Sequence, residues 1–247
     1  GLTLILLSRS KDIYKLTWHD LAIDGGILKH IFSVGLPAGI QSVITAFSNV
    51  FVQSYINYFG SSCMAGWSCY NKLDQFVMLP MQSMAMASTT FVSQNIGARQ
   101  PKRAEKGTHI TILLTLLITG AIVAAMMAFA APSVELFSQD PKVVEYGVLF
   151  IRANVVFLLF NCVTHVLAGA LRGMGDSNGP MIIMLLGFVG FRQAYLYIMT
   201  HFISNTPLTV GFGYPVGWVS CCVLEVVYFL IRRKRLLYQE DDESIDN

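Results

Sequence analysis

Six stretches of this sequence are each long and apolar enough to cross a lipid bilayer, and little chain is left over for anything else. They are Ile31–Tyr58, Ala65–Gln94, Gly107–Ala131, Val143–Leu171, Pro180–Ile203 and Val210–Ile231. A membrane core of about 30 Å needs roughly 20 residues of helix, and backbone in lipid must satisfy its own hydrogen bonds. Stretches of this length therefore predict helices rather than barrel strands. Charged residues make up only 13% of the chain, too few to cover the surface of a water-soluble domain this size. The fold class expected is all-α integral membrane, with a bundle of six transmembrane helices.

Lys and Arg orient the bundle. If Arg9 lies on one side and the loops alternate, that side also receives Lys11, Lys15, Lys29, Arg99, Lys102, Arg103, Lys106, Arg172, Arg232, Arg233, Lys234 and Arg235, which makes 13 of the 17 basic residues. The opposite loops hold only Lys142. Positive charge marks the cytoplasmic face, which predicts a multi-pass protein of a cell membrane with its C-terminus in the cytoplasm. Short loops favour a bacterial inner membrane. The apolar stub Gly1–Leu7 is read as the last turns of a preceding transmembrane helix, and residues 8–30 as a cytoplasmic linker. Residues 31–235 are expected to form the membrane lobe, and residues 236–247 an acidic, unstructured cytoplasmic tail.

Polar residues inside the spans carry the functional signal. An ionisable group costs about 2.5–3.5 kcal/mol at the centre of a membrane helix, so it usually faces a protein interior or a wet cavity. Lys72, Asp74, Arg152, Arg192 and Glu225 all lie within spans. At 1.5 Å of rise per residue, Asp74 and Arg192 both fall near the midplane, roughly 15–18 Å from a face. The matched depth makes an Asp74–Arg192 ion pair, with or without Arg152, sterically possible, either as a functional site or as a fastening between helices. In the first span Gln41, Thr45, Asn49, Gln53 and Asn57 recur every four residues, with Ser48 beside them. Such a stripe suits a helix lining an aqueous path, or one that hydrogen-bonds to its neighbours. Gln75 and Gln82 in the second span, with Asn161 and His165 in the fourth, extend the polar lining.

Several other chemistries find no support. The five cysteines lie in or beside apolar runs, without ligand spacing, and read as packing residues. No acid–base set, metal-ligand motif or phosphate loop is present, so no enzyme, resident cofactor or metal is expected, and nothing suggests nucleic acid. Gly173-Met-Gly175 follows a helix rather than a strand and reads as a tight turn.

Five motifs, in order and with matching span spacing, resemble the C-terminal half of the multidrug and toxic compound extrusion (MATE) transporters. They are Gly35-Leu-Pro37; Asp74-Gln-Phe-Val-Met-Leu-Pro80; Val92-Ser-Gln94-Asn95-Ile-Gly97-Ala98-Arg99 with Arg103-Ala104; Leu171-Arg172-Gly173-Met-Gly175-Asp176; and Phe191-Arg192. The resemblance implies one six-helix lobe of a twelve-helix protein, partnered by an N-terminal lobe of the same protein and by the lipid bilayer. It implies export of small organic, often cationic, compounds in exchange for Na⁺ or H⁺. Gln94, Gly97, Ala98 and Arg103, like Arg172, Gly173, Gly175 and Asp176, would form cytoplasmic elbows that maintain lobe geometry. One branch of the family uses C-lobe carboxylates for its coupling cation; the matching positions here are Thr45 and Asn161. Neutral groups cannot carry a proton, so the resemblance puts the coupling carboxylate in the other lobe. The rival reading, a related flippase for lipid-linked sugars, calls for a more cationic cavity than Arg152 and Arg192 supply.

Overall fold

The computed structural model describes residues 24–243. The expectations for the Gly1–Leu7 stub, most of the linker and the last four residues lie outside that range. The described chain is helical, and among the described residues there is no strand. Two units divide at Pro37. The first contributes the opening turns of a helix, which Asp24 starts by accepting the N–H groups of Gly26 (2.7 Å) and Ile27 (3.0 Å). The second holds everything discussed below.

The first helix, α1 (Gly25–Asn57), begins before the expected Ile31. It is followed by α2 (Ser61–Gly97), α3 (Pro101–Ala128), the short α4 (Ala130–Glu135), α5 (Pro141–Asn154) and α6 (Leu158–Gly173). A single 3₁₀ turn, Val155–Phe157, joins α5 to α6, so the predicted fourth span is one rod with a tightened waist. The fifth stretch consists of α7 (Asn178–Leu185), a π-helical segment Leu186–Phe191, α8 (Arg192–Ile198) and a second π-helical segment Met199–Ile203. A short α9 (Pro207–Gly211) precedes α10 (Gly213–Glu243). That last helix runs into the acidic stretch expected to be unstructured; Leu236, Leu237, Gln239 and Glu240 are all good helix formers that prolong it.

Helix starts follow from sequence chemistry. Pro101, Pro141 and Pro207 each occupy a first turn, where a missing N–H costs nothing. Asp140 caps α5 by accepting the Lys142 N–H at 2.9 Å. Within the apolar helices, hydroxyls bond back one turn, as Thr108 does to the Ala104 carbonyl (3.0 Å) and Thr111 to that of Gly107 (2.8 Å). This is how a threonine is accommodated where no water competes.

Among the described residues, five rods are long and apolar enough to cross a membrane: Gly25–Asn57, Pro101–Ala128, Pro141–Gly173, Asn178–Ile203 and Pro207–Arg233. The expected second span, α2, is long enough at 37 residues but too polar to join them by composition alone. Its position explains why. It lies against α3, α5 and α6, and twelve of its 37 residues are buried, so one side of it packs on protein. Among the described glycines, two at the α2–α6 crossing come closest to the backbone of a neighbouring helix. A Cβ on Gly169 would sit 2.4 Å from the Ala85 carbonyl oxygen, and one on Gly173 2.6 Å from that of Thr89. Backbones meet there because no side chain intervenes. The Thr89 hydroxyl spans the gap, donating to the Gly169 carbonyl at 2.9 Å.

An aromatic cluster fills the core beside this crossing. Trp67 stacks edge-on to Phe150 (4.8 Å between centroids) and Tyr214 (5.2 Å), and Tyr214 to Trp218 (5.6 Å). These are favoured edge-to-face separations. All five cysteines are buried and unbridged.

Candidate functional site

Between α1, α2, α6, α8 and α10 lies a cavity of about 1000 Å³. Gln41, Thr45 and Asn49 line it from α1, Asp74, Gln75 and Gln82 from α2, His165 from α6 and Arg192 from α8. The polar stripe of α1 is thus split. Gln53 and Asn57 do not reach the cavity; the Gln53 amide instead donates to Asn57 at 2.9 Å. The cause is helical drift. Residues four apart advance about 40° around the axis, so four such steps carry Asn57 about 160° away from Gln41.

The expected Asp74–Arg192 ion pair does not form; an ion pair does form elsewhere, between Arg233 and Glu105 at 2.8 Å. Arg192 is 1% exposed and turns to neutral oxygens instead. Its Nε donates to the Phe188 carbonyl (3.0 Å), and its Nη2 to the Ser48 hydroxyl (2.6 Å) and the Asn49 side-chain carbonyl (2.9 Å). The guanidinium also lies 4.9 Å from the centre of the Tyr214 ring. Oxygens from the adjacent helix claim its donors, and Asp74 Oδ1 is left buried with no hydrogen-bond partner. Arg152 does not join either group; it is exposed on α5 and does not line the cavity.

Ser48 is the centre of this arrangement, although by sequence it only accompanied the stripe. Its hydroxyl donates to the Phe188 carbonyl at 2.7 Å and accepts from Arg192 Nη2 and from Gln193 Nε2 (2.8 Å). One donor and two acceptor positions are all a hydroxyl has, so Ser48 is saturated. The π-helical segment Leu186–Phe191 immediately precedes Arg192, and such widened turns recur at functional sites. Nothing in the apolar spacing of this stretch announces the widening. Gln41 reaches across the cavity to the Met184 sulfur.

Two other predicted residues are buried behind the lining. Asn161 is fully buried and donates to the Met78 sulfur at 3.3 Å, while Met78 itself faces the cavity. Glu225 is fully buried on α10, and neither of its carboxylate oxygens has a hydrogen-bond partner. Arg172 on α6 is the cation whose charge reaches it.

The elbow motifs form two tight turns. After α2, the Ala98 N–H returns to the Gln94 carbonyl at 3.0 Å, Gly97 has open space around it, and Arg99 adopts φ 55°. Arg103 stays at the surface, 3.4 Å from the Gln100 side-chain oxygen and 6.0 Å from the Phe91 ring centre. After α6, Gly175 takes φ 88°, a conformation that favours glycine. Asp176 fixes this turn by accepting the Gly179 N–H (2.9 Å) and the Tyr228 hydroxyl (2.5 Å).

A family model described as MatE matches residues 37–198. The chain is 24% identical over 211 residues to the probable multidrug resistance protein YoeA of Bacillus subtilis, covering 85% of this chain and 45% of that protein. It is 22% identical over 202 residues to the probable multidrug resistance protein NorM of Thermotoga maritima, covering 82% of this chain and 44% of that one. Among solved structures, a MOP superfamily transporter from Pyrococcus furiosus superposes with a TM-score of 0.87 at 21% identity, over 95% of this chain and 53% of that one. The chain thus spans about half the length of the relatives it matches.

Proposed function

This chain belongs to the MatE family of membrane transporters, and on that premise we propose that it is the C-terminal six-helix lobe of a twelve-helix secondary transporter that exports organic compounds in exchange for Na⁺ or H⁺. The observation that carries this reading is the cavity. Polar side chains from α1, α2, α6 and α8 converge on one space of about 1000 Å³, between rods that are otherwise apolar. A bundle built only to pack would have no use for such a space, whereas a transport path requires one. In this reading α2 completes the set of six spans, residues 31–235 form the membrane lobe, and the basic ends of the rods face the cytoplasm of a bacterial cell. The partner is the N-terminal lobe of the same protein, and the cavity opens towards it. Thr45 lines the cavity and Asn161 lies behind it, both neutral, so the coupling carboxylate belongs to the other lobe. The two turns after α2 and α6 act as rigid elbows on the cytoplasmic side.

The test is gradient-driven movement of a fluorescent organic compound in everted membrane vesicles carrying the full-length protein. Imposed Na⁺ or H⁺ gradients should drive accumulation that collapses with an ionophore. Movement indifferent to both gradients would overturn the antiport reading.

A further inference from the structure

One face of α3 stays uncovered by the rest of the lobe, and it changes chemistry along its length. Lys102, Lys106 and His109 line a shallow groove of about 390 Å³ there, together with Glu105, Ile110 and Leu113. All of these except Glu105 are exposed. At about 100° per residue, Lys102, Lys106, His109, Leu113 and Leu117 fall within an arc of about 80°. The face therefore runs for about 10 Å as basic side chains and then for about 12 Å as apolar ones. Ile110, Leu113 and Leu117 are all exposed, and from Gly107 to Ala128 the helix carries no Asp, Glu, Lys or Arg.

The acidic member of the groove is already neutralised. Arg233 reaches Glu105 from α10 at 2.8 Å, so a neighbouring helix supplies its counterion. The Lys102 and Lys106 ammonium groups have no hydrogen-bond or ion-pair partner among the described residues. Arg103, between them in sequence, is turned away towards Gln100 and the Phe91 ring of α2. What remains on this face is two unpaired cations and an imidazole, set directly above an apolar track.

We propose that this face binds an anionic phospholipid, with its phosphate at Lys102, Lys106 and His109 and an acyl chain along Ile110, Leu113 and Leu117; this rests on the membrane orientation of the transporter reading above. The ammonium groups and the imidazole give a phosphate charge-assisted hydrogen bonds. A basic pocket at the cytoplasmic end of a membrane helix is placed where anionic headgroups lie. Only a molecule that joins an anion to an apolar tail matches both halves of the face. A soluble phosphate matches the first half alone, and a lipid without net charge matches the second alone. The Arg233–Glu105 pair sets the affinity, because an unpaired Glu105 would repel the phosphate from within the groove.

Native mass spectrometry of the full-length protein, titrated in detergent with phosphatidylglycerol and with phosphatidylcholine of identical chains, tests this. Phosphatidylglycerol should bind at least ~10-fold more tightly. Lys102→Gln together with Lys106→Gln should weaken it ~30-fold, about 5-fold for each lysine, and leave phosphatidylcholine within about 2-fold. Lys142→Gln removes an exposed lysine from the opposite loops and should leave both lipids within about 2-fold. Glu105→Gln should tighten phosphatidylglycerol about 5-fold and Arg233→Gln should weaken it by at least as much. Excess glycerol phosphate, which is the headgroup without chains, should not displace the lipid. Equal affinity for the two lipids, a loss with Lys142→Gln as large as with the lysine pair, or displacement by glycerol phosphate would overturn the proposal. No ion gradient enters the measurement. Failure of gradient-driven movement therefore sinks the efflux reading alone, and unselective lipid binding sinks this proposal alone.

Discussion

Replacing Gly169 by alanine tests the closest approach of a glycine to a neighbouring backbone among the described residues. The new Cβ would lie 2.4 Å from the Ala85 carbonyl oxygen, whereas ordinary contact begins near 3.4 Å, so α2 and α6 must part by about 1 Å. The obstacle is backbone and cannot rotate away. Overpacking of this kind costs about 1–3 kcal/mol, with an unyielding neighbour at the upper end. Parting also stretches the 2.9 Å bond from the Thr89 hydroxyl to the Gly169 carbonyl past its useful range, a further ~0.6 kcal/mol. Against these stands a helix-propensity gain of up to ~1 kcal/mol for alanine over glycine. The net loss is roughly 2–3 kcal/mol. Gly120→Ala is the control: its nearest neighbour, a Leu159 methyl, is at 4.0 Å, so only the gain applies. Thermal unfolding of the full-length protein in detergent can be followed with a thiol-reactive dye, because all five cysteines here are buried until the fold opens. At about 2–4 °C per kcal/mol the two variants should melt at least ~5 °C apart, Gly169→Ala lower. Equal melting temperatures would refute the backbone-contact argument.

Other outcomes follow from the same geometry. Ser48→Ala removes an acceptor from Arg192 and from Gln193 and a donor from Phe188; it should lower stability by about 1.5–3 kcal/mol, read as a fall in melting temperature, while Ser83→Ala, whose exposed hydroxyl bonds back to the Leu79 carbonyl of its own helix, should cost less. Asp74→Asn should impair transport more than folding, seen as slowed gradient-driven efflux with an unchanged melting temperature. Glu225→Met should hold or raise the melting temperature, because it removes two buried oxygens that have no hydrogen-bond partner; a fall of several degrees would mean that Arg172 already compensates the charge. Arg233→Gln, which breaks a half-exposed ion pair to Glu105, should change stability by no more than ~1 kcal/mol.

The long rods were legible because length and apolarity dictate helix in lipid, and their errors have physical causes. The third rod begins at Pro101 rather than Gly107 because its basic first turn stays helical outside the apolar stretch. The cavity was half legible. Gln41, Thr45 and Asn49 stood out by spacing, but a four-residue period drifts, and the drift removes Gln53 and Asn57. Matched depth suggested a bond between Asp74 and Arg192, yet depth fixes only one coordinate, and rotation about each axis sets the partner. Ser48 carried almost no signal, since a lone serine in an apolar helix is common. The π-helical segments carried less, because widening depends on neighbouring helices rather than on local composition. Gly169 and Gly173, four apart, were available as a close-packing signal.

That close crossing also defines a frame of reference. Helices that touch backbone to backbone cannot slide or tilt past each other without breaking contact, so α2 and α6 behave as a single stiff plate. Spin labels on the outward-facing Met86 of α2 and Phe160 of α6 should keep one sharp distance distribution whatever gradient or ligand is applied. Displacements of α1 or α8 can then be measured against that pair, which serves as a ruler built into the lobe.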